Sequence, residues 1–139
     1  MKNIGKIIHV IDVKLKRKID RLADEYNLTL IQFIAMERIY LSSKEGDVYQ
    51  RDLEMALDVR RSTVSNVLGI LENKGYLLRE SVPCDARLKK LVLTAEGESV
   101  YREFKQRLEQ DEAKDFQVFT DEEAETLMRL LKRLSETIK

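Results

Sequence analysis

Two adjacent arginines, Arg60 and Arg61, open the string RRSTVSN and precede a run of short polar side chains. They stand at the predicted start of a helix, where the backbone dipole already presents positive charge and a cation costs about 0.3–1 kcal/mol. Guanidinium groups bind phosphates, and short hydroxyl or amide side chains can reach base edges. This chemistry is that of nucleic-acid binding. The predicted contacts on this helix are Arg60, Arg61, Ser62, Thr63, Ser65 and Asn66.

A second group of cations follows in a predicted β-hairpin, at Arg79, Arg87, Lys89 and Lys90. A basic hairpin tip beside such a helix suits a further contact in the adjacent minor groove. Asp85 stands two residues before Arg87. Its carboxylate either orients the guanidinium through a charge-assisted bond or serves as an ordinary turn-forming aspartate. The ordinary alternative for the two arginines of the helix is a solvated pair of surface charges.

The elements that hold these side chains are predicted from hydrophobic periodicity. The string QRDLEMALD predicts a short helix that ends before Val59. A second helix carries apolar positions at offsets 0, 3, 4 and 7 from Val64 and ends at about Lys74, because Gly75 follows as a helix stop. Two short helices joined by a tight turn form a helix-turn-helix. The strings YLLRESV and LKKLVLT predict two strands separated by a polar interruption, PCDAR, which forms the protruding tip.

The first segment carries an apolar stripe with helical spacing, at Ile4, Ile8, Ile11, Leu15, Ile19, Leu22 and Tyr26. A stripe of this length exceeds what one small core covers, so we expect part of it to contact another chain. Thr29 and Gln32 have the spacing of a capping box, which predicts a helix from Leu30 to Leu41. An exposed loop is expected at residues 42–47.

The end of the chain is predicted to be helical. Thr120 and Glu123 form a second capping box, which marks the start of the last helix. One face of that helix is lined by Leu127, Leu130, Leu131, Leu134 and Ile138. The predicted fold class is therefore mainly α with a small β-hairpin.

Composition narrows the possible functions. A chain of 139 residues fits one domain, and its 25 basic and 25 acidic residues leave no net charge, so a nucleic-acid footprint must be local. Residues 1–28 and 49–94 are basic in balance, whereas residues 95–139 are acidic. One cysteine and one histidine are too few for a zinc site, and we expect neither a metal nor another cofactor. No apolar run is long enough to span a bilayer and no signal peptide is evident, which predicts a cytoplasmic protein without membrane contact.

Three further features have ordinary explanations. Cys84 at the hairpin tip could sense redox state, but exposure alone does not lower the pKa of a thiol. His9 lies beside the first apolar stripe and is expected to be structural. The acidic cluster that begins at Asp121 complements a helix dipole. Phosphate-binding glycine loops, nucleophile elbows and metal-ligand spacings are absent from the sequence, so we expect no enzyme.

The order of these elements, read with the string RSTVSNVLGILENKGYLLRESVPCDARLKKLVLTAEG, resembles the MarR family of transcriptional regulators over essentially the whole chain. The resemblance rests on STVS at residues 62–65, on Leu71 with Glu72, on Lys74 and Gly75, on Arg79, on the Asp85 and Arg87 pair, and on Leu93 to Gly97. Each match is weak by itself, whereas their order and spacing are specific.

The resemblance implies a homodimer with two winged helix-turn-helix lobes that read a palindromic operator in double-stranded DNA. The helix that begins with Arg60 and Arg61 would enter the major groove, and Arg87, held by Asp85, would enter the minor groove. Residues 29–94 would form the DNA-binding lobe of a single domain, and residues 1–28 and 95–139 the dimerisation helices, with contacts from Ile4, Ile8, Ile11, Leu15, Leu127, Leu131, Leu134 and Ile138. The family also implies a repressor that a small, often aromatic, effector releases from DNA.

The sequence departs from the family pattern at several positions. Arg60 stands where a small capping residue is common, Glu54 replaces a usual Ala, and Asn66 stands where basic residues are frequent. Gly97 gives up the Glu or Gln of a capping box after Thr94. These departures and the neutral net charge motivate an alternative hypothesis, a winged-helix protein-interaction module that does not bind DNA.

Overall fold

A computed structural model describes residues 3–139, so the first two residues of the predicted first segment lie outside it. The helices are α1 (Ile4–Glu25), α2 (Leu30–Ser43), α3 (Gln50–Leu57), α4 (Arg61–Asn73), α5 (Ala95–Asp115) and α6 (Asp121–Thr137). Two strands, β1 (Leu77–Val82) and β2 (Asp85–Leu93), pair between α4 and α5, and a short 3₁₀ helix (Phe116–Val118) precedes α6. The structure is mainly helical with one β-hairpin, which confirms the predicted fold class.

The chain divides into two compact units, and the division falls inside α5. The first unit ends at Lys105 and contains α1 to α4, the hairpin and the start of α5. Its core is formed by fully buried side chains, among them Met36, Ile39, Leu53, Leu68, Leu71, Tyr101 and Phe104. The second unit begins at Gln106 and holds the rest of α5, the 3₁₀ helix and α6. The predicted assignment of the whole chain to a single domain stays a prediction.

Both predicted capping boxes are present. The Thr29 hydroxyl accepts from the Gln32 N–H at 3.3 Å, and the Gln32 side chain accepts from the Thr29 N–H at 3.0 Å. Thr120 and Glu123 make the same reciprocal pair, at 3.1 and 2.9 Å. However, α2 extends to Ser43, beyond the predicted end at Leu41. The reason is local, because the Ser43 hydroxyl donates to the Tyr40 carbonyl at 2.8 Å and so satisfies an acceptor of the last turn.

Gly75 terminates α4 as predicted. Its φ of 80° lies in the left-handed region, which glycine adopts without a steric penalty. The Tyr76 N–H donates to the Leu71 carbonyl and the Gly75 N–H to the Glu72 carbonyl, both at 3.0 Å. These are the two hydrogen bonds of a Schellman motif, and they turn the chain from the helix into β1.

The hairpin differs from the prediction at its tip. The expected interruption at residues 83–87 is wrong, because only Pro83 and Cys84 form the turn and Asp85 already pairs with Val82. The next regular pair is Ser81 with Lys89, so residues 86–88 bulge out of the ladder. The polar character of PCDAR therefore reflects a bulged strand rather than a long loop. The inner end of β2 is held by a further hydrogen bond, from the Leu91 N–H to the Val48 carbonyl at 2.7 Å.

Gly97 has a packing reason that the sequence did not reveal. A Cβ at this position would lie 2.2 Å from the Tyr76 carbonyl oxygen. The Thr94 hydroxyl accepts from the Gly97 N–H at 3.0 Å and donates to the Gly75 carbonyl at 2.6 Å, and the Thr94 N–H donates to the Tyr76 carbonyl at 3.0 Å. Only glycine allows the start of α5 to approach the start of β1 this closely.

Candidate nucleic-acid interface

Helix α4 begins without a cap. Arg60 occupies the N-cap position with extended backbone, at φ −65° and ψ 148°, and its side chain makes no capping hydrogen bond. The first turn contains no acidic residue. The first N–H groups of a helix have no partners within the helix, and together with the dipole they attract anions. Arg61 at the first helical position adds positive charge to a terminus that is already positive.

The polar residues of α4 do not all face solvent. Ser62, Thr63 and Asn66 are exposed, as a contact surface requires. Ser65 is partly buried, and its hydroxyl accepts a hydrogen bond from the Gln50 amide of α3 at 2.8 Å. Three of the predicted short side chains therefore stand open to a partner, while the fourth is also tied to the neighbouring helix.

Basic side chains from three parts of the first unit converge on one groove of about 290 Å³. Helix α3, the start of α4 and the hairpin contribute its basic lining, which consists of Arg51, Arg61, Arg79, Arg87 and Lys89. Glu54 is the acidic residue in this lining. The strong positive charge of the groove contrasts with the neutral chain as a whole, so the charge is concentrated by folding. We call this site the basic groove.

Arg51 belongs to the basic groove, although it is not among the residues predicted to contact DNA. It lies in the first turn of α3, and its guanidinium carbon is 5.5 Å from the centre of the Tyr49 ring. A cation in the first turn of a helix was the signal that identified Arg60 and Arg61. The same signal was present at Arg51, but the prediction selected DNA contacts only from the second of the two short helices and from the hairpin.

The hairpin presents Arg87 at its bulge, and the guanidinium group is almost fully solvent-accessible, with 95% of the side chain exposed. The Asp85 carboxylate accepts from the Arg87 backbone N–H at 2.9 Å, whereas its distance to the guanidinium Nε is 3.8 Å. Asp85 therefore fixes the backbone of the bulge first and attracts the guanidinium second. The observed geometry therefore agrees in part with each predicted role of Asp85, the turn-forming one and the orienting one.

Lys89 and Lys90 lie on opposite faces of β2, because successive side chains of a strand alternate. Lys89 lines the basic groove, and its ammonium group donates to the Ser81 hydroxyl at 2.9 Å. Lys90 instead pairs with Asp47 at 3.2 Å and lines a separate cavity. The structure thus divides two neighbours that the prediction grouped together, and Lys90 does not line the groove that Lys89 shares with Arg87.

Arg79 lies deeper in the groove than the other cations. Its side chain is 27% exposed, and its Nε is 3.6 Å from the Glu72 carboxylate of α4. This Nε is buried and makes no hydrogen bond with the residues that the structure describes. Arg79 therefore connects β1 to α4, whereas Arg87 is the more exposed arginine of the groove.

A second polar cluster joins α2 to the first turns of α5. Arg102 donates to the Tyr40 hydroxyl at 3.1 Å, and this hydrogen bond lowers the pKa of Tyr40. Burial raises the pKa of the adjacent Tyr101, whose hydroxyl donates to the Glu37 carboxylate at 3.3 Å. Phe33 packs against Tyr101 with ring centres 5.6 Å apart, so it belongs to the core. Tyr40 and Arg102 line the same cavity as Lys90, and that cavity shares Leu91 with the lining of the basic groove.

Two helices expose apolar faces, each within its own unit. On α1 the predicted contact residues Ile4, Ile8 and Ile11 are 52%, 38% and 48% exposed. On α6 no residue is buried, and Leu131 and Leu134 are exposed. Ile138, which was predicted to lie on this helix, instead follows its end with extended backbone and is exposed. Leu15 and Leu127 are half-buried. Exposed apolar stripes of this kind are typical of surfaces that a partner chain covers.

Comparisons with known proteins agree with this architecture. The family model described as the MarR family matches residues 26–88, which include α2, α3, α4 and most of the hairpin. The match covers 63 of the 139 residues, the part that contains the helix-turn-helix. Together these similarities support a transcriptional regulator of the MarR type, and this family consists of DNA-binding proteins without enzymatic activity.

The similarity to known proteins extends over most of the chain. An uncharacterized HTH-type transcriptional regulator of Bacillus subtilis, YybA, is 28% identical over 115 residues, which cover 83% of this chain and 75% of that protein. A mutant of MepR from Staphylococcus aureus superposes with a TM-score of 0.86 at 24% identity and covers 98% of each chain. A mutant of MarR from Escherichia coli, complexed with operator DNA, has a TM-score of 0.74 at 25% identity and covers 96% of this chain and 94% of its own.

The described residues add two negative observations. No helix among residues 3–139 is both long and apolar enough to cross a membrane. Within the same range, His, Cys, Asp and Glu residues form no group of three or more that could hold a metal ion.

Proposed function

We propose that this MarR-type regulator is a homodimer that binds double-stranded DNA in a sequence-specific manner, as a repressor at a palindromic operator. The observation that carries the proposal is the convergence of Arg51, Arg61, Arg87 and Lys89 on one groove beside the uncapped start of α4. Such a protein acts where the chromosome is, in the cytoplasm.

The roles of the two DNA-facing elements follow from their shapes. An α-helix fits the major groove, so the exposed polar side chains Ser62, Thr63 and Asn66 of α4 would meet base edges. Arg60 and Arg61 would neutralise the flanking phosphates. The bulged hairpin carries Arg87 outward from the lobe, as insertion into the narrower minor groove requires. Arg79 is proposed to contribute by holding the hairpin against α4.

The similarity to the E. coli MarR mutant that was crystallised with operator DNA supports this proposal. The two chains share the fold over nearly their whole length, and the elements we assign to DNA contact lie within the part matched by the family model, except for residues after 88.

The dimer is proposed to form through the exposed apolar faces of α1 and α6. These faces carry Ile4, Ile8, Ile11, Leu131 and Leu134, with the half-buried Leu15 and Leu127 beside them and the exposed Ile138 directly after α6. Residues 1–28 and 95–139 would thus form the dimerisation helices, and residues 29–94 the DNA-binding lobe. Placing a carboxylate in the stripe, as in Leu131→Glu, buries a charge in the dimer and is expected to produce monomers in sedimentation experiments. An unchanged dimer would remove α6 from the interface.

The proposal is tested by selecting binders from a random duplex library with the purified protein at low salt. We expect enrichment of a palindrome with half-sites about one helical turn apart. The Arg61→Ala/Arg87→Ala double variant should lose this enrichment. Lys90→Ala is the matched control, since it removes one positive charge from the same strand but outside the basic groove. A folded wild-type dimer that enriches no sequence would contradict the proposal and favour a protein-interaction module.

Release by a small aromatic effector completes the proposed function. It is tested by titrating aromatic carboxylates into the complex with the selected duplex and measuring the fraction of DNA that remains bound. Displacement at concentrations that leave the thermal stability of the free protein unchanged or increased supports effector control. Displacement that occurs only with unfolding of the protein contradicts it.

A further inference from the structure

Gln50 connects the two helices of the helix-turn-helix by a directed pair of hydrogen bonds. Its amide nitrogen donates to the Ser65 hydroxyl of α4 at 2.8 Å and to the Glu54 carboxylate of α3 at 3.3 Å. Gln50 and Glu54 line the basic groove, and Ser65 lies one turn beyond Arg61 on the same face of α4. The three residues therefore form a chain of contacts from α3 to the recognition helix.

The Glu54 carboxylate determines which groups donate and which accept in these hydrogen bonds. Ionised Glu54 can only accept hydrogen bonds, so it favours the orientation of the Gln50 amide that turns the NH₂ group toward it. The same NH₂ group then meets Ser65, whose oxygen must accept. Among the hydrogen bonds of residues 3–139, the Ser65 hydroxyl accepts this one and donates none. Its O–H group is left to donate to a group outside the chain.

We propose that Glu54 and Gln50 are positioning residues that make Ser65 a hydrogen-bond donor to a base edge in the major groove. This inference rests on the proposed DNA binding and adds a rule of sequence preference to it. Guanine N7 and O6, adenine N7 and thymine O4 accept hydrogen bonds there, whereas cytosine N4 donates. A hydroxyl that already accepts from an amide is polarised toward donation. Ser65 therefore selects an acceptor edge and disfavours cytosine at one position of each half-site.

The decisive variant exchanges the two side chains on α3, as Gln50→Glu together with Glu54→Gln. This exchange preserves composition and net charge but reverses the direction of the hydrogen bonds. The carboxylate at position 50 now accepts from Ser65, which uses up the O–H group and leaves oxygen lone pairs toward the DNA.

Library selection with this exchange variant gives the readout. We expect the preference at one position of each half-site to move from acceptor edges toward the cytosine amino group, by about threefold to tenfold in relative affinity. The dependence of affinity on salt should stay the same, because the phosphate-binding cations are unchanged. Identical base preferences at every position, or a loss of affinity that is uniform across sequences, would overturn the proposal.

A double-mutant cycle keeps the proposal testable if the exchange variant does not fold. Gln50→Ala and Ser65→Ala should each weaken discrimination at the same base pair, and the double variant should lose no more than Ser65→Ala does. A control cycle pairs Gln50→Ala with Ser62→Ala, and its losses should add, because Ser62 is an exposed serine on the same helix without the hydrogen bond to Gln50 that Ser65 makes. The proposal is contradicted if the losses of base discrimination in Gln50→Ala and Ser65→Ala add, or if they fall on different base pairs.

The same experiment separates this inference from the function on which it rests. A wild-type protein that enriches no duplex refutes DNA binding itself. A wild-type protein that enriches an operator, combined with unaltered preferences in the exchange variant, refutes only the role of Gln50 and Glu54.

Discussion

Replacing Gly97 by alanine tests the structure most directly, because sequence and structure predict effects of opposite sign. From the sequence alone, Gly→Ala within a helix is expected to stabilise the protein by up to about 1 kcal/mol. In the structure, the new Cβ would lie 2.2 Å from the Tyr76 carbonyl oxygen and 2.9 Å from its carbonyl carbon. One of the two backbone segments must therefore move by about 1 Å to restore normal contact.

The cost of that movement can be worked out from the contacts that it disturbs. Overpacking of this kind costs about 1–3 kcal/mol. The hydrogen bonds from Thr94 to the carbonyls of Tyr76 and Gly75, at 3.0 and 2.6 Å, would be strained, at about 1 kcal/mol for each one lost. After subtracting the gain in helix propensity, Gly97→Ala should lower the free energy of unfolding by about 1–3 kcal/mol. This corresponds to a decrease of roughly 3–10 °C in Tm.

The assay is thermal and urea unfolding followed by circular dichroism, at one fixed protein concentration because the proposed dimerisation would make stability depend on concentration. Gly69→Ala on α4 is the matched control, since a Cβ there would meet no atom within 4 Å. This control should be more stable than the wild type by about 0.5–1 kcal/mol. A Gly97→Ala protein that equals or exceeds the wild type in stability would refute the close approach of α5 to the hairpin.

Three further predictions concern binding and titration. Arg87→Ala should weaken affinity for the selected duplex by about 1–3 kcal/mol in fluorescence anisotropy, whereas Lys90→Ala should change it little; equal losses would contradict the division of β2 into two faces. The logarithm of the binding constant should fall with the logarithm of salt concentration with a slope of several units, since each neutralised phosphate contributes about 0.9, and a flat response would argue against phosphate contacts. In an alkaline titration of tyrosinate absorbance, Tyr40 should ionise below the ordinary pKa of 10.0 because of the Arg102 hydrogen bond, and the buried Tyr101 above it. Linkage gives the signs: the phenolate of Tyr40 adds stability as pH rises through its lowered pKa, whereas Tyr101 reduces stability above 10.0, where the unfolded chain ionises first. Phenylalanine substitutions that remove the two steps in the opposite order would contradict this assignment.

Elements whose signals are local were predictable from the sequence. The capping boxes at Thr29 and Thr120, the helix stop at Gly75 and the two short helices of the helix-turn-helix depend on residues three to five positions apart. The hydrogen bonds that make these features close within one turn, so the residue types themselves select the conformation. The positive charge of Arg60 and Arg61 at a helix start was visible for the same reason.

Contacts between distant segments were decided only by the tertiary structure. Arg51 and Lys89 join one groove because α3 packs against α4 and β2, whereas Lys90, adjacent in sequence, turns to Asp47 on the other face of the strand. The bulge at residues 86–88 depends on the register with β1, and the need for glycine at position 97 depends on the backbone of Tyr76. The hydroxyl of Ser65 likewise receives its partner from α3, fifteen positions away. Neighbouring residues in the sequence determine the local conformation of each turn and helix end. A site shared by several elements forms only when packing of the core fixes the distances between segments that are far apart in the sequence.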